Sequence, residues 1–291
     1  MSFAPERSGG QTLGGLGNQA NVTTIKPDSA TAGLGIGELW SYRELMYFLI
    51  WRDVKVRYRQ TVFGALWALI QPIGLMLVFA GFLGRVGGLA DEGIPYPLFA
   101  LAGLVPWTFF AQGVGAASGS LADASNLLQK VYFPRLLLPL AAIGARLIDF
   151  MIAAAVLVVA LIVAGHGPNA NVIWVVPLTA LMLVLTASLG TLLGALNVRY
   201  RDIRYAVPFL LQLWLFASPV VYSVRLVPGD WLTAYRLNPM SGIIEGFRWA
   251  LLGGETFPLM AVASAVVVTA VLVVASLGYF RSVERTFADV I

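Results

Sequence analysis

The hydrophobic residues of this chain form long runs without charge, separated by short segments that carry most of its Arg, Lys, Asp and Glu. The uncharged runs are 61–84, 93–122, 170–198, 205–223 and 256–280. A helix needs about 20 apolar residues to cross the hydrocarbon layer of a membrane. The pattern therefore predicts an all-α integral membrane protein. We place its six transmembrane helices at 63–84, 97–118, 143–164, 174–196, 206–222 and 258–280.

The first 37 residues differ from the rest of the chain. They are rich in Gly, Ser, Thr and Asn and contain no apolar run, so they lack the hydrophobic core of a signal peptide. This composition predicts a disordered tail over 1–37. The glycines of GLGIG at 33–37 follow no predicted strand and lack the spacing of a nucleotide-binding loop, so we interpret them as linker.

Residues 38–62 predict an amphipathic helix that lies in the membrane interface ahead of a six-span domain over 63–291. An apolar stripe at helical spacing consists of Tyr47, Ile50, Trp51, Val54 and Tyr58. A basic face consists of Arg52, Lys55, Arg57 and Arg59. An apolar stripe beside a basic face is typical of interfacial helices. A soluble amphipathic helix that packs on a neighbour is the alternative that this pattern leaves open.

The third predicted span reaches full length only if it includes two charged residues. The uncharged stretch 150–164 is too short to cross at about 1.5 Å per residue, so the span must contain Arg146 and Asp149. These residues are three positions apart on one helix face and can pair. Three interpretations stay open: a structural pair or interface anchor, a contact with an anionic substrate, and a proton relay.

The distribution of basic residues predicts the orientation in the membrane. Most of the 19 Lys and Arg residues lie in the tail, in 38–62, in the loops 119–142 and 197–205 and at the C-terminus. Cytoplasmic loops carry such an excess, so both termini are predicted to be cytoplasmic. Residues 223–257 then form the longest external segment.

The external segment contains a short, half-apolar helix. Asn238 and Pro239 are suited to its N-cap and its first helical position, and two glycines end it. Glu245 and Arg248 can pair within it. We interpret it as a re-entrant helix, whose irregular flanks must be shielded by protein or line a cavity. A structural cap and a gate at the edge of a pore are both compatible with the pattern.

The composition gives no indication of an enzyme. The chain has 12% charged residues and no cysteine, and its one histidine, His166, stands alone in the turn-like GHGPN. None of its three lysines follows a glycine, as a phosphate-binding loop requires. We predict no catalytic residues, no metal, no cofactor in this chain and no nucleic-acid partner. Active transport would then need an energy source in a partner.

Aromatic residues are frequent near the ends of the predicted spans. They include Trp67, Trp214, Phe216 and Tyr222. Trp and Tyr at these positions usually form the aromatic belt at the membrane surface. A stacking surface for sugar rings is the alternative, and periodicity does not separate the two.

Five motifs in order resemble one known family. They are WRDVKVRYRQTVFGALWALIQP, LLQKVYFPRLLLP, NVRYRDI, LNPMSGIIEGFRWALL and FRSVERTFADVI. Together they resemble the permease subunits of type-2 ABC exporters for lipid-linked polysaccharides, which serve O-antigen, teichoic acid and capsule export. The resemblance runs from about residue 38 to the end and does not include the tail.

The resemblance implies a function and a set of partners. It implies a homodimer of six-span subunits in the bacterial cytoplasmic (inner) membrane, in contact with membrane lipids. Two ATP-binding subunits would hold ATP and Mg and drive export of an undecaprenyl-linked polysaccharide, with O-antigen as the leading substrate.

The resemblance also implies site residues. A coupling helix that docks into the ATPase would include Asn126, Gln129, Lys130, Tyr132, Phe133, Pro134 and Arg135. The first three would face the ATPase, and Tyr132, Phe133 and Pro134 would fix the angle at which the chain leaves the helix. The first and fifth spans would line the channel, which makes the four aromatic residues named above candidates for sugar stacking.

Other functions are compatible with the sequence. A drug or small-lipid exporter of the same superfamily is the nearest. An ion-coupled or passive transporter would work without an ATPase and depend on Asp149. A membrane-embedded scaffold protein would show no transport defect when deleted.

Overall fold

The computed structural model of the chain describes residues 36–59, 61, 63–84, 93–130, 133–167, 169–254 and 256–284. Predictions on residues 1–35, on Tyr132 and on 285–291 lie outside this part of the chain. The same holds for predictions on the side chains of Asn126 and Gln129. The chain divides into two units, Met1–Gly37 and Glu38–Ile291, and the fold below is that of the second unit.

Every regular element among the described residues is helical, which confirms the all-α prediction. The helices are α1 (Ile36–Ser41), α2 (Arg43–Tyr58), α3 (Trp67–Leu83), α4 (Tyr96–Asp123), α5 (Ser125–Lys130), α6 (Leu137–Val163), α7 (Val175–Arg199), α8 (Ile203–Phe216), α9 (Gly229–Leu237), α10 (Pro239–Arg248) and α11 (Leu259–Glu284). Short 3-10 turns occur at Gly64–Leu66, Ala170–Trp174 and Val224–Leu226, and a π-helical turn follows α10 at Trp249–Gly253.

Four of the described helices are long and apolar enough to cross a membrane: α4, α6, α11, and α7 together with the turn before it. The predicted third span is among them, and α6 includes Arg146 and Asp149 as expected. α3 and α8 are apolar but shorter, at 17 and 14 residues. The count of six spans therefore stays a prediction.

The predicted fifth span, 206–222, is wrong at its C-terminal end. α8 ends at Phe216, and turns follow as far as Tyr222. Pro219 disfavours the helical conformation for the residue before it, and Arg248 bonds carbonyl groups of the turns. Tyr222 therefore lies in an irregular connection and not on the helix.

α4 lies at the centre of the bundle and is buried along most of its length. Phe99, Leu104 and Phe110 are fully buried, and α6, α7 and α10 pack around them. Small residues permit the close approach of α7, because a Cβ atom on Gly190 would lie 2.6 Å from the Cβ of Ala117. Such residues allow helices to pack tightly in membranes, where no hydrophobic force drives helices together.

The two ends of the bundle carry different structures. α4 begins beside α10 and ends beside α5. α8 begins near α5 and runs toward α10. We call the two ends of the bundle the α10 end and the α5 end. A separate apolar cluster at the α5 end joins α2, α4, α6, α7 and α11. Its buried members include Leu49, Leu121, Phe133, Leu137, Val198 and Phe280.

The helix predicted over 38–62 is broken, and only part of its predicted apolar stripe is packed: Ile50, Val54 and Tyr58 face the bundle, whereas Tyr47 and Trp51 are exposed. α1 and α2 are separated at Tyr42, and α2 ends at Tyr58. The packed face of α2 contains Leu49, which is 2% exposed, whereas Tyr47 in the predicted stripe is 68% exposed. The contact with α6 decides this orientation, because Ile50 fits over Gly144, where a Cβ atom would lie 2.7 Å from the Ile50 Cδ1.

Candidate functional site

The carboxylate of Asp149 connects α2 to the bundle. It accepts hydrogen bonds from Arg57 and Tyr58, which form the last turn of α2. Asp149 is only 9% exposed. Burial raises the pKa of Tyr58 to about 12, with a further contribution from its hydrogen bond to Asp149. The Tyr58 hydroxyl therefore stays protonated at neutral pH and remains a donor.

The polar contacts continue from Asp149 across the middle of the bundle. Arg146 Nη1 lies 3.8 Å from the Asp149 carboxylate, so the predicted pair is present. The same nitrogen donates to the Gln112 side chain of α4 at 3.2 Å, and Gln112 donates to Gln71 of α3. α2, α3, α4 and α6 are thus joined through one set of side chains.

A small cavity lies beside these contacts. Its volume is about 10 Å³, and its lining includes Thr108, Gln112, Arg146 and Asp149. Thr108 Oγ1 and Arg146 Nε are buried there without a hydrogen-bond partner. The volume is at the lower limit for a single water molecule. A carboxylate held by two donors beside so small a cavity favours the structural interpretation of Asp149 over a proton relay.

The exposed face of α2 carries basic and aromatic residues. Arg52 bonds the neighbouring Asp53 at 2.9 Å, and Lys55 lies 5.8 Å from the centre of the Trp51 ring. Arg59 follows the helix and is exposed. Arg57, which was predicted on the same face, instead turns toward Asp149.

The predicted coupling segment is anchored at the α5 end. Phe133 is buried in the apolar cluster, whereas Lys130 is exposed. Arg135 donates to the backbone carbonyl of Glu284, which ties the segment to the end of α11. Pro134 lies between these two anchors and is partly buried. The segment therefore has a fixed base, with Lys130 exposed at the end of α5.

The structure brings two of the four predicted aromatic residues together. Trp214 and Tyr222 line a cavity of about 700 Å³ at the α10 end, together with Trp231 and Tyr235. The Tyr222 hydroxyl donates to the Phe216 carbonyl at 2.7 Å. Phe216 itself and Trp67 do not line this cavity. Trp67 contacts Phe63 on α3's preceding turn, with 5.9 Å between ring centres.

Asn238 joins α10 to the end of α8. Its side-chain oxygen accepts from the Met240 backbone at 3.1 Å, which confirms the predicted N-cap, with Pro239 as the first helical residue. The same oxygen accepts from Trp214 Nε1 at 3.0 Å. Its amide group donates to the Ala217 carbonyl at 3.1 Å. One side chain thus fixes both the start of α10 and the turn after α8.

Arg248 at the end of α10 is buried, with 6% exposure. It donates to the carbonyl groups of Pro219 at 2.7 Å and Val220 at 2.6 Å. Its guanidinium lies 3.6 Å from the centre of the Phe99 ring. Glu245 is partly buried and lines a separate cavity of about 340 Å³. Pairing between Glu245 and Arg248 stays a prediction.

Sequence reasoning missed the partners of Asp149. Arg57 and Tyr58 are more than 90 residues from Asp149 along the chain, so no local spacing connects them to it.

Within the described part of the chain, no group of three or more His, Cys, Asp or Glu could hold a metal ion. His166 lies partly buried in the turn after α6.

Comparison with known proteins identifies the family. Residues 44–252 match the family described as ABC-2 type transporter, a match that begins in α2 and ends in the π-helical turn after α10. The chain belongs to the ABC-2 type transporter family. As a family member with four helices of spanning length, it is a multi-pass inner-membrane protein and a transport subunit. The resemblance found in the sequence motifs is confirmed.

Several named export and transport proteins are similar to this chain over most of their length. The chain is 31% identical over 260 residues to the O-antigen export system permease protein RfbA of Myxococcus xanthus, covering 87% of this chain and 98% of that protein. It is 25% identical to a protein of the same name from Klebsiella pneumoniae, covering 85% and 95%. It is 23% identical to the polysialic acid transport protein KpsM of Escherichia coli, covering 81% and 92%.

Proposed function

We propose that this chain is the permease subunit of an ABC exporter that carries an undecaprenyl-linked polysaccharide across the bacterial inner membrane, with O-antigen as the leading substrate. The observation that carries the proposal is the similarity to the O-antigen permease of Myxococcus xanthus over 98% of that protein. The similarity to the named polysaccharide transporters extends over more than 80% of this chain, so it is not limited to one motif.

The proposed arrangement in the membrane has six spans, with α3 and α8 as the first and fifth. Both termini and the α5 end face the cytoplasm, because most basic residues lie at that end. The exposed face of α2 carries Trp51, Arg52 and Lys55, which suits a helix at the lipid headgroups. Residues 1–37 form a cytoplasmic tail, and α10 is the re-entrant helix of the external side.

The energy source in this proposal is a separate pair of ATP-binding subunits that hold ATP and Mg and bind a homodimer of this chain. α5 is the contact, through Asn126, Gln129 and the exposed Lys130. It follows α4 after a break at Ala124, so a displacement of α5 acts on the central helix. Phe133 and Arg135 hold the far end of the segment.

The path of the glycan is proposed to pass the aromatic residues of the α10 end. Trp214 and Tyr222 line the cavity of about 700 Å³, whose size suits one or more sugar rings. Asn238 and Arg248 would act as positioning residues of an external gate, because both bond the turns after α8.

The proposed function is tested by deleting the gene and following the polysaccharide. We expect the surface polysaccharide to disappear and its lipid-linked form to accumulate inside the cell. The wild-type gene should restore export, and Lys130→Glu should restore it poorly. A deletion strain with normal surface polysaccharide would contradict the proposal.

A further inference from the structure

A cleft between α7 and α8 runs along α8 from the α5 end toward the α10 end. It contains two cavities of about 340 and 400 Å³, and the second shares Trp214 and Ala217 with a third, the cavity of about 700 Å³ at the α10 end, which no α7 residue lines. We propose that the first two bind a lipid diphosphate, with the headgroup at Arg201 and Arg204 and the apolar chain along α8. This inference rests on the proposed function, because the lipid is the carrier of the exported glycan.

The cavity at the α5 end is suited to an anionic headgroup. Arg201 and Arg204 line it, together with the polar groups of Ser125, Asn197 and Tyr205. Arginine presents a planar set of donors that matches phosphate oxygens in pairs. Within the described residues, Arg201 is exposed and no carboxylate lies within ion-pair distance of it.

Arg204 has one competing partner. It forms an ion pair with Asp123 at the end of α4, and both side chains are more than half exposed. Exposed ion pairs contribute little stability, so a diphosphate could displace this carboxylate. Asp123 therefore competes with an anion for Arg204.

The second cavity is suited to a hydrocarbon chain. Leu189 and Leu193 line it from α7, and Val207, Leu210 and Leu211 line it from α8. Its lining is almost entirely apolar, in contrast to the first cavity. The cleft is thus polar at one end and apolar beyond it, as an amphiphile requires.

The spacing of the lining residues makes the two cavities neighbours. On α7, Asn197 lines the first cavity, and Leu193, one helical turn before it, lines the second. On α8, Arg204 is followed one turn away by Val207. The path continues to Trp214, which the second cavity shares with the aromatic cavity. From Arg204 to Trp214 the distance along the helix is about 15 Å.

The headgroup must supply the affinity. A lipid tail is already in an apolar environment in the membrane, so the groove gains little by burying it. The groove instead orients the chain. Two arginines beside one apolar cavity of about 400 Å³ favour one chain with a multiply charged headgroup over a phospholipid, which has two tails and often one charge.

The test measures binding of undecaprenyl diphosphate to the purified full-length chain in phosphatidylcholine nanodiscs. Replacement of both arginines by glutamine should lower the affinity about tenfold or more, since each charge-assisted contact is strong. Arg199→Gln is the matched control. Arg199 lies against the Tyr200 ring, does not line the cavity, and should change the affinity less than twofold.

Two further variants separate a binding role from a structural one. Asp123→Asn frees Arg204 and should raise the affinity, which loss of structure would not do. Leu210→Trp fills the groove, because Leu210 lines it. This variant should weaken binding of undecaprenyl diphosphate and leave binding of inorganic diphosphate unchanged.

Three results would overturn the inference. They are unchanged binding in the double arginine variant, equal competition by phosphatidylglycerol, and occupation of the cleft by a second copy of the chain in cross-linking. The proposed function is judged separately, since the binding assay needs neither ATP nor export. Export by a wild type that shows no binding at the cleft would refute only the lipid site.

Discussion

Removal of the Asp149 carboxylate should weaken the attachment of α2 to the bundle. In Asp149→Ala, Arg57 and Arg146 lose their shared counter-charge and Tyr58 loses its acceptor. Breaking a buried ion pair costs about 3–5 kcal/mol. The Arg57 and Arg146 side chains are about one-quarter exposed, so we expect a smaller loss of about 2–4 kcal/mol in the free energy of unfolding. Asp149→Asn keeps an acceptor and should lose less.

A double-mutant cycle isolates the interaction with Arg57. The free energy of unfolding in mixed micelles would be measured for Arg57→Gln, Asp149→Asn and the double variant. We expect a coupling of about 1–2 kcal/mol, the upper part of the range for polar contacts in membrane proteins. Arg52→Gln is the matched control, because Arg52 bonds Asp53 on the exposed face and should show no coupling to Asp149.

Additive effects of Arg57→Gln and Asp149→Asn would refute this reasoning. Such a result would mean that the two side chains do not stabilise the bundle together. The position of α2 would then depend on its apolar contacts, such as Ile50 over Gly144.

Three other predictions concern single residues. Phe133→Ala should lower the free energy of unfolding by about 3–5 kcal/mol, because it leaves a cavity in the apolar cluster at the α5 end. Lys130→Ala should leave stability unchanged and reduce ATPase stimulation by substrate. Equal melting temperatures for Phe133→Ala and the wild type would contradict the stability prediction. Arg248→Met should make the turns after α8 sensitive to protease, since its hydrogen bonds to three carbonyl groups of these turns are lost. Unaltered cleavage would refute this prediction. Gly190→Leu should prevent close packing of α7 on Ala117 and lower the yield of folded protein, while Gly278→Leu, at an open position, should not.

The four long apolar helices were predictable because their signal lies in the sequence of each helix alone. A long run without charge needs a helix in an apolar environment, whatever its neighbours are. The start of α10 was predictable for a similar reason, because the N-cap at Asn238 and the proline after it act locally. The end of α8 was not, since the turns after Phe216 depend on Arg248, a residue far along the chain.

The orientation of α2 required tertiary information. Its sequence contains apolar residues on both faces, so Tyr47 and Leu49 compete for the packed side. The bundle selects Leu49, because Ile50 must fit against Gly144 and Arg57 must reach Asp149. Neither condition is visible in the spacing of residues within the helix.

The most direct test of the central claim is reconstitution. The full-length chain and its ATP-binding partner would be placed in vesicles that carry a lipid-linked glycan on the ATPase side. The account predicts that the glycan appears on the opposite side only with ATP and Mg, and that Lys130→Glu slows its appearance. Glycan movement without an ATP-binding partner, or no movement with a functional ATPase bound, would contradict it.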